Sequence, residues 1–221
     1  MAQPIQLVVF DLDGTLVDSR HDIAAATNDM IRSFGGQPLP EPEIAAMVGE
    51  GAGLLVRRAL RAAGLDRPAP EALERFLVSY DARLLDTTVL YPGMRDALDA
   101  LAGNVSLALL TNKPEQATRK LLEGLGVAQG FLRTIGGDTA FGRKPDPAGL
   151  VEIVAAAGAA PDTTMMVGDS PIDLRTARAA RTRICLARYG FGFRFSPADF
   201  RGDETFIDRP SDLPPLVASL R

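Results

Sequence analysis

The chain has 221 residues, 46% of them hydrophobic and 24% charged, enough for one large or two small domains around a buried core. Its net charge of −4 gives no overall attraction to nucleic acid or to an anionic membrane surface, so neither is expected as a partner. One cysteine (Cys185) and one histidine (His21) exclude an internal disulfide and a zinc site built from several Cys or His ligands, and they disfavour Cys–His nucleophilic catalysis.

The N-terminal segment MAQPIQLVVF lacks a basic leader, and its apolar end suits a buried strand at 5–10. The polar loop DLDGTLVDS follows. From 19 to 88 the pattern is helical throughout, with helices predicted at 21–34, 41–48, 52–63 and 70–86, separated by Gly- and Pro-containing breaks. Strands and helices then alternate: a helix at 93–102, a strand at 105–110, and a helix at 114–124 with Pro114 in its first turn. A strand at 132–136, a helix at 146–158, a strand at 164–168, a helix at 171–180 and a strand at 183–187 come next. Residues 190–210 are irregular and rich in Gly and Phe, with a short strand in ETFID, and SDLPPLVASLR closes the chain as a short helix.

Such alternation implies an α/β fold, a Rossmann-like parallel sheet covered on both faces. The 19–88 stretch is too long for a crossover. It reads as a small all-helical domain inserted after the first strand, with 1–18 and 89–221 forming the α/β core. No stretch approaches the about 20 apolar residues of a membrane span. A soluble cytoplasmic protein is expected, and Cys185, in the apolar run RICLA, reads as a buried structural thiol.

In open parallel sheets ligands bind beyond the carboxyl ends of the strands, and polar clusters fall at such ends here. Asp11-Leu12-Asp13-Gly14-Thr15 follows the first strand, and Thr111-Asn112-Lys113 follows the strand at 105–110. Lys144, one of only three lysines, stands in the loop GRKPDP, and Gly168-Asp169-Ser170-Pro171-Ile172-Asp173 follows the strand at 164–168. Each has a plainer explanation alone: turn-forming Asp, helix caps at Thr111, Asn112, Asp169 or Ser170, and a solvated lysine. Together they make one site. Carboxylates crowded at one sheet edge require a hard divalent cation such as Mg²⁺, and a hydroxyl, an amide and an ammonium suit a bound phosphoryl group.

DLDGT, the apolar run ending in Thr111-Asn112, the isolated Lys144 and GDSPID resemble, in order, the four motifs of the haloacid dehalogenase superfamily, and the helical insertion resembles that family's small cap. The resemblance implies a Mg²⁺-dependent phosphatase. In it Asp11 is the nucleophile, passing through an aspartyl-phosphate, and Asp13 is the general acid and base. Thr111 and the backbone at Asn112 bind phosphoryl oxygens, and Lys144 neutralises charge on Asp11 and the phosphoryl group. Mg²⁺ is held by Asp11, the backbone carbonyl of Asp13, and Asp169, with Asp173 reaching the metal or its waters.

The insertion has no lysine, which leaves it without the cap group that phosphonate-cleaving relatives use as a Schiff base, and His21 reads as a surface residue. The segment Met47–Gly53, containing Gly49, Glu50 and Gly51, is similar to the phosphoglycolate phosphatase branch. Either it brings backbone amides to a small ligand or it is an ordinary helix–helix loop. Of Arg57 and Arg58, at most one can meet a substrate carboxylate, because adjacent helical residues diverge. The resemblance implies a small phosphorylated metabolite as partner, 2-phosphoglycolate first, with nucleotides, sugar phosphates or pyrophosphate as alternatives. A catalytically silent binding protein is a further alternative, and the chain is expected to be a monomer or a homodimer.

Overall fold

The structure, a computed structural model, describes residues 3–220. Met1, Ala2 and Arg221, which the expected core boundaries include, lie outside the described residues. Regular structure begins with β1 (Leu7–Phe10) and a two-residue strand, β2 (Val17–Asp18), followed by four helices: α1 (Arg20–Ser33), α2 (Glu41–Ala45), α3 (Ala52–Ala62) and α4 (Ala69–Ala82). The chain returns through β3 (Val89–Leu90) to α5 (Met94–Leu101), β4 (Ser106–Leu110), α6 (Glu115–Gly124), β5 (Arg133–Ile135) and α7 (Ala148–Ala156). β6 (Thr164–Gly168), α8 (Pro171–Ala180), β7 (Arg183–Ala187), β8 (Thr205–Ile207) and α9 (Leu213–Ser219) complete it.

Six strands pair in the order β5-β4-β1-β6-β7-β8, all parallel. All four residues of β1 are fully buried, as expected of a central parallel strand whose apolar run is unbroken. Successive side chains still alternate between two cores. Val8 and Phe10, Leu107 and Leu109, and Met165 and Val167 fill one, which continues into the helical segment through Ile23, Met30, Val56 and Phe76. Leu7 and Val9, Ala108 and Leu110, and Met166 fill the other, against α7 and α8. Burying each large aliphatic side chain contributes about 1.5–3 kcal/mol, so the strand runs fix this topology.

The observed elements depart from the expected ones at their ends, for local reasons. β2 and β3 pair antiparallel, Val17 with Leu90 and Asp18 with Val89, on either side of residues 19–88; two residues are too few to leave a pattern. Pro114, in extended backbone at ψ 140°, precedes α6 instead of lying in its first turn. α2 stops at Ala45, ahead of Gly49 and Gly51, whose φ values of +119° and +87° no helix admits. α4 stops at Ala82, short of the expected 86, and Asp86 lies in a turn closed on the Arg83 carbonyl. Among the described residues no helix is long and apolar enough to cross a membrane.

Where the chain leaves the helical segment, Asp22 anchors it to α1. The buried carboxylate accepts hydrogen bonds from the Thr87 and Thr88 amides at 3.0 and 2.8 Å and from their hydroxyls at 2.6 and 2.7 Å. Burial alone would raise this carboxyl, but the Thr87 and Thr88 hydrogen bonds outweigh it and hold the group below its ordinary range. Asp22→Asn offers an amide donor where donors already converge, and should cost about 2–4 kcal/mol at neutral pH. Because the folded value is depressed, the carboxylate's contribution is present above the unfolded value of about 4 and fades as pH falls through the folded one. Urea unfolding at pH 7 and near pH 3 should therefore show the gap between wild type and Asp22→Asn narrowing in acid.

Candidate active site

Register brings the polar clusters together. Phe10 lies opposite Leu109 of β4 and Val167 of β6, so the chain leaves all three central strands at one level. The next residues are Asp11, whose amide donates to the Val167 carbonyl, Thr111, whose amide donates to the Ile135 carbonyl, and Asp169. This edge is where the sheet order reverses: the chain runs from β1 to β4 and β5 on one side, then returns to β6 on the other.

Asp11, Asp169 and Asp173 form a buried group with carboxylate oxygens within 4.8 Å of one another. The buried Lys144 ammonium sits 2.7 Å from Asp11 Oδ1 and 2.7 Å from Asp173 Oδ1. Lys144 is therefore no solvated loop lysine. Burial pushes the Asp11 carboxyl up to about 7, against the opposing pull of Lys144 and with the repulsion of Asp173 added. Burial and the neighbouring charges of Asp173 and Asp11 likewise hold Asp169 well above the usual carboxylate range. Lys144 is raised despite its burial, because Asp11 and Asp173 flank it.

Glycines enclose Asp169. A Cβ on Gly14, which has φ +87°, would lie 2.0 Å from Asp169 Oδ2, and one on Gly190 would lie 2.3 Å from the Asp169 Cβ. The Gly192 amide donates to Asp169 Oδ2 at 2.7 Å. Three buried carboxylates stand around one ammonium that pairs with two of them, and the donors offered to an ion are oxygens only. That set fits a hard divalent cation and does not fit a soft metal.

Ser170 caps α8 reciprocally with Asp173, whose Oδ2 accepts from the Ser170 amide at 3.0 Å and hydroxyl at 2.6 Å. The cap explanation for this cluster therefore holds for Ser170, while Asp173 both caps and pairs with Lys144. Asn112 is used as a clamp: its Oδ1 accepts from the Lys144 amide at 2.8 Å, and its Nδ2 donates to the carbonyls of Lys144 at 2.9 Å and Gly49 at 2.8 Å. Thr111, buried between them, accepts from the Lys113 amide at 3.1 Å. Neither Thr111 nor Asn112 caps α6.

Asp13 stands apart from the three-carboxylate group. Its Oδ1 accepts from the Ser19 hydroxyl at 2.5 Å and pairs with Lys113 Nζ at 2.8 Å. Lys113 Nζ also donates to the Tyr80 hydroxyl, on α4, at 2.5 Å. The sequence places Lys113 in the polar cluster after β4 without giving it a role, and Tyr80 was overlooked among the candidate site residues. Lys113 had a signal, as one of three lysines and the neighbour of Asn112; Tyr80 had none, because its contact spans 33 residues. Gly190 and Gly192 were overlooked for the same reason.

A cavity of about 1080 Å³ opens over Asp11, Asp13, Thr111 and Lys144, roofed by α3 and α4 and by Gly49–Gly51. Gly49 reaches the core through Asn112, while the Glu50 carboxylate is taken by Arg58. Arg57 lines the cavity from an exposed position. His21 lies on the surface against Glu41 at 2.9 Å, away from the cavity lining.

The sequence profile of the haloacid dehalogenase-like hydrolases matches residues 8–187. A phosphoglycolate phosphatase from Rhodospirillum rubrum is 45% identical over 192 residues, covering 83% of this chain and 80% of that protein. Phosphoglycolate phosphatase 1 of Pseudomonas aeruginosa is 40% identical over 219 residues, covering 96% of this chain and 79% of its own length. The crystal structure of a predicted phosphoglycolate phosphatase from Haemophilus somnus matches with a TM-score of 0.90 at 28% identity, covering 98% of this chain and 99% of that one. The chain belongs to the haloacid dehalogenase-like hydrolase family.

Proposed function

We propose that this hydrolase is a phosphatase of small phosphate monoesters, 2-phosphoglycolate foremost, that carries the phosphoryl group on Asp11 during turnover. One observation carries the reading. A buried carboxylate at the end of the central strand is held by an ammonium at 2.7 Å, with a second carboxylate, Asp13, two residues on beside the same cavity. The relatives named as phosphoglycolate phosphatases support the choice of ester.

In the first step an Asp11 oxygen attacks phosphorus while the ester P–O bond breaks, and the Asp13 carboxyl gives its proton to the departing alkoxide. Lys144 fixes the Asp11 carboxylate and draws in the phosphoryl oxygens, which the Thr111 hydroxyl and the backbone after it also receive. In the second step Asp13, now ionised, takes a proton from water as that oxygen attacks phosphorus. The bond to Asp11 breaks, phosphate leaves, and both carboxyls return to their starting states. Asp11, Asp169 and the Asp13 carbonyl would hold Mg²⁺, with Asp173 beside them, and the ion would supply charge neutralisation for the phosphoryl group. Residues 19–88 serve as the cap, closing the cavity over a core made by the rest of the chain. The buried lone thiol of Cys185 suits a reducing, cytoplasmic setting.

Phosphate release from 2-phosphoglycolate, p-nitrophenyl phosphate, nucleotides, sugar phosphates and pyrophosphate, with Mg²⁺ and with EDTA, tests this directly. Metal-dependent release with 2-phosphoglycolate preferred is the expected result, and silence across the panel in folded, Mg²⁺-supplied protein would overturn it. Asp13→Asn should slow turnover of 2-phosphoglycolate by about 10²–10⁴, the range of acid–base assistance. p-Nitrophenyl phosphate, whose leaving group departs without a proton, should show the loss only in the second step.

A further inference from the structure

We infer that Lys113 and Tyr80 form the subsite for the carboxylate of the leaving group, so that a residue of the helical cap and one of the core jointly select an anionic ester. This rests on the phosphatase reading above. In 2-phosphoglycolate two covalent bonds separate the ester oxygen from the carboxyl carbon, a span of about 2.5 Å. The ester oxygen must lie within hydrogen-bonding reach of Asp13, which protonates it. A cation for the carboxylate therefore has to stand next to Asp13.

Lys113 meets that condition, with Nζ 2.8 Å from Asp13 Oδ1. The other cations lining the cavity are committed or remote. Lys144 serves Asp11, and Lys120, which pairs with Asp81 at 2.6 Å, Arg143 and Arg57 are all exposed, unlike the buried Lys113. Lys113 also has donor capacity left. Its ammonium has three hydrogens; Asp13 and Tyr80 take two, and the third has no acceptor among the described residues. The Tyr80 hydroxyl accepts from Lys113, and its own hydrogen has no acceptor among the described residues. Both side chains are more than nine-tenths buried and both line the cavity.

Shape cannot supply the same selection. A cavity of about 1080 Å³ is far larger than a two-carbon acid, so charge beside Asp13 has to discriminate. Because Tyr80 belongs to α4, the subsite is complete only where α4 meets the loop after β4.

The test uses 3-phosphonopropionate, a non-hydrolysable isostere of 2-phosphoglycolate, and propylphosphonate, which lacks the carboxylate, as inhibitors of p-nitrophenyl phosphate hydrolysis. Lys113→Met should raise the inhibition constant of 3-phosphonopropionate at least tenfold more than that of propylphosphonate, and Tyr80→Phe should act in the same direction by a smaller factor. Equal changes for both inhibitors would mean that Lys113 serves Asp13 alone, and would overturn the subsite. The two readings fail separately. A carboxylate preference that depends on Lys113, in an enzyme that does not hydrolyse 2-phosphoglycolate, would sink the substrate and keep the subsite. Hydrolysis of 2-phosphoglycolate with no such preference would do the reverse. Tyr80→Phe removes one oxygen and keeps the ring stacked on Phe76 at 5.6 Å, so the test survives if Lys113→Met fails to fold.

Discussion

Asp11→Asn should lower kcat by about 10⁵–10⁶ while leaving the protein folded, the scale of loss when a covalent nucleophile is removed. No neighbour can take over. Asp169 is enclosed by Gly14, Gly190 and Gly192, Asp173 is fully buried between Ser170 and Lys144, and Asp13 is committed to Lys113 and Ser19. Folding should not suffer. Burial and Asp173 hold the Asp11 carboxyl up to about 7, so in metal-free protein the ionised group opposes folding above the unfolded value of about 4. A neutral amide removes that cost. Activity and stability are thus expected to move apart: turnover lost in single-turnover assays, with the urea midpoint in EDTA unchanged or raised. Substantial activity in pure Asp11→Asn protein would remove Asp11 from the reaction.

Lys144→Met should do the opposite to stability. It strips the shared cation from Asp11 and Asp173, leaving three buried carboxylates with no ammonium among them. Removing one partner of a buried pair costs about 3–5 kcal/mol, because the remaining charge stays desolvated. The loss should appear in urea unfolding with EDTA present, accompanied by loss of phosphatase activity. Asp173→Asn in the same background should recover part of the stability, since the two changes share a contact and cannot be additive. A loss under about 1 kcal/mol, or strict additivity, would show that Lys144 is not the charge that makes this edge tolerable.

These two residues also show what a sequence can and cannot reveal. β6, α8 and β7 end where the sequence predicts, because the apolar runs of β6 and β7, bounded by Gly168-Asp169-Ser170 and Arg181-Thr182, leave little freedom in their own limits or in those of the helix between them. The placement of Asp11, Thr111 and Asp169 at one edge was legible for the same reason, since parallel register follows from which runs are fully buried. Contacts between distant segments were not legible. The Tyr80–Lys113–Asp13 chain, the Asn112 clamp on Gly49 and the Gly192 amide on Asp169 each join stretches that no local pattern connects. The Phe-rich tail illustrates the boundary. Phe193, Phe195, Phe200 and Phe206 pack one on the next in tilted and edge-on pairs at 4.9–5.4 Å, yet nothing in their spacing announced that the neighbouring Gly190 and Gly192 would close over an aspartate.

The most direct test of the central claim is to trap the phosphoryl group on Asp11. Asp13→Asn enzyme, mixed with p-nitrophenyl phosphate and Mg²⁺, loses nitrophenolate readily but lacks the base for the second step, so the covalent species should accumulate. Acid quenching and peptide mass analysis should then find one hydroxylamine-labile phosphoryl group on the peptide bearing Asp11. Nitrophenolate release with that peptide unmodified and the phosphate already free would contradict a phosphoryl-enzyme on Asp11.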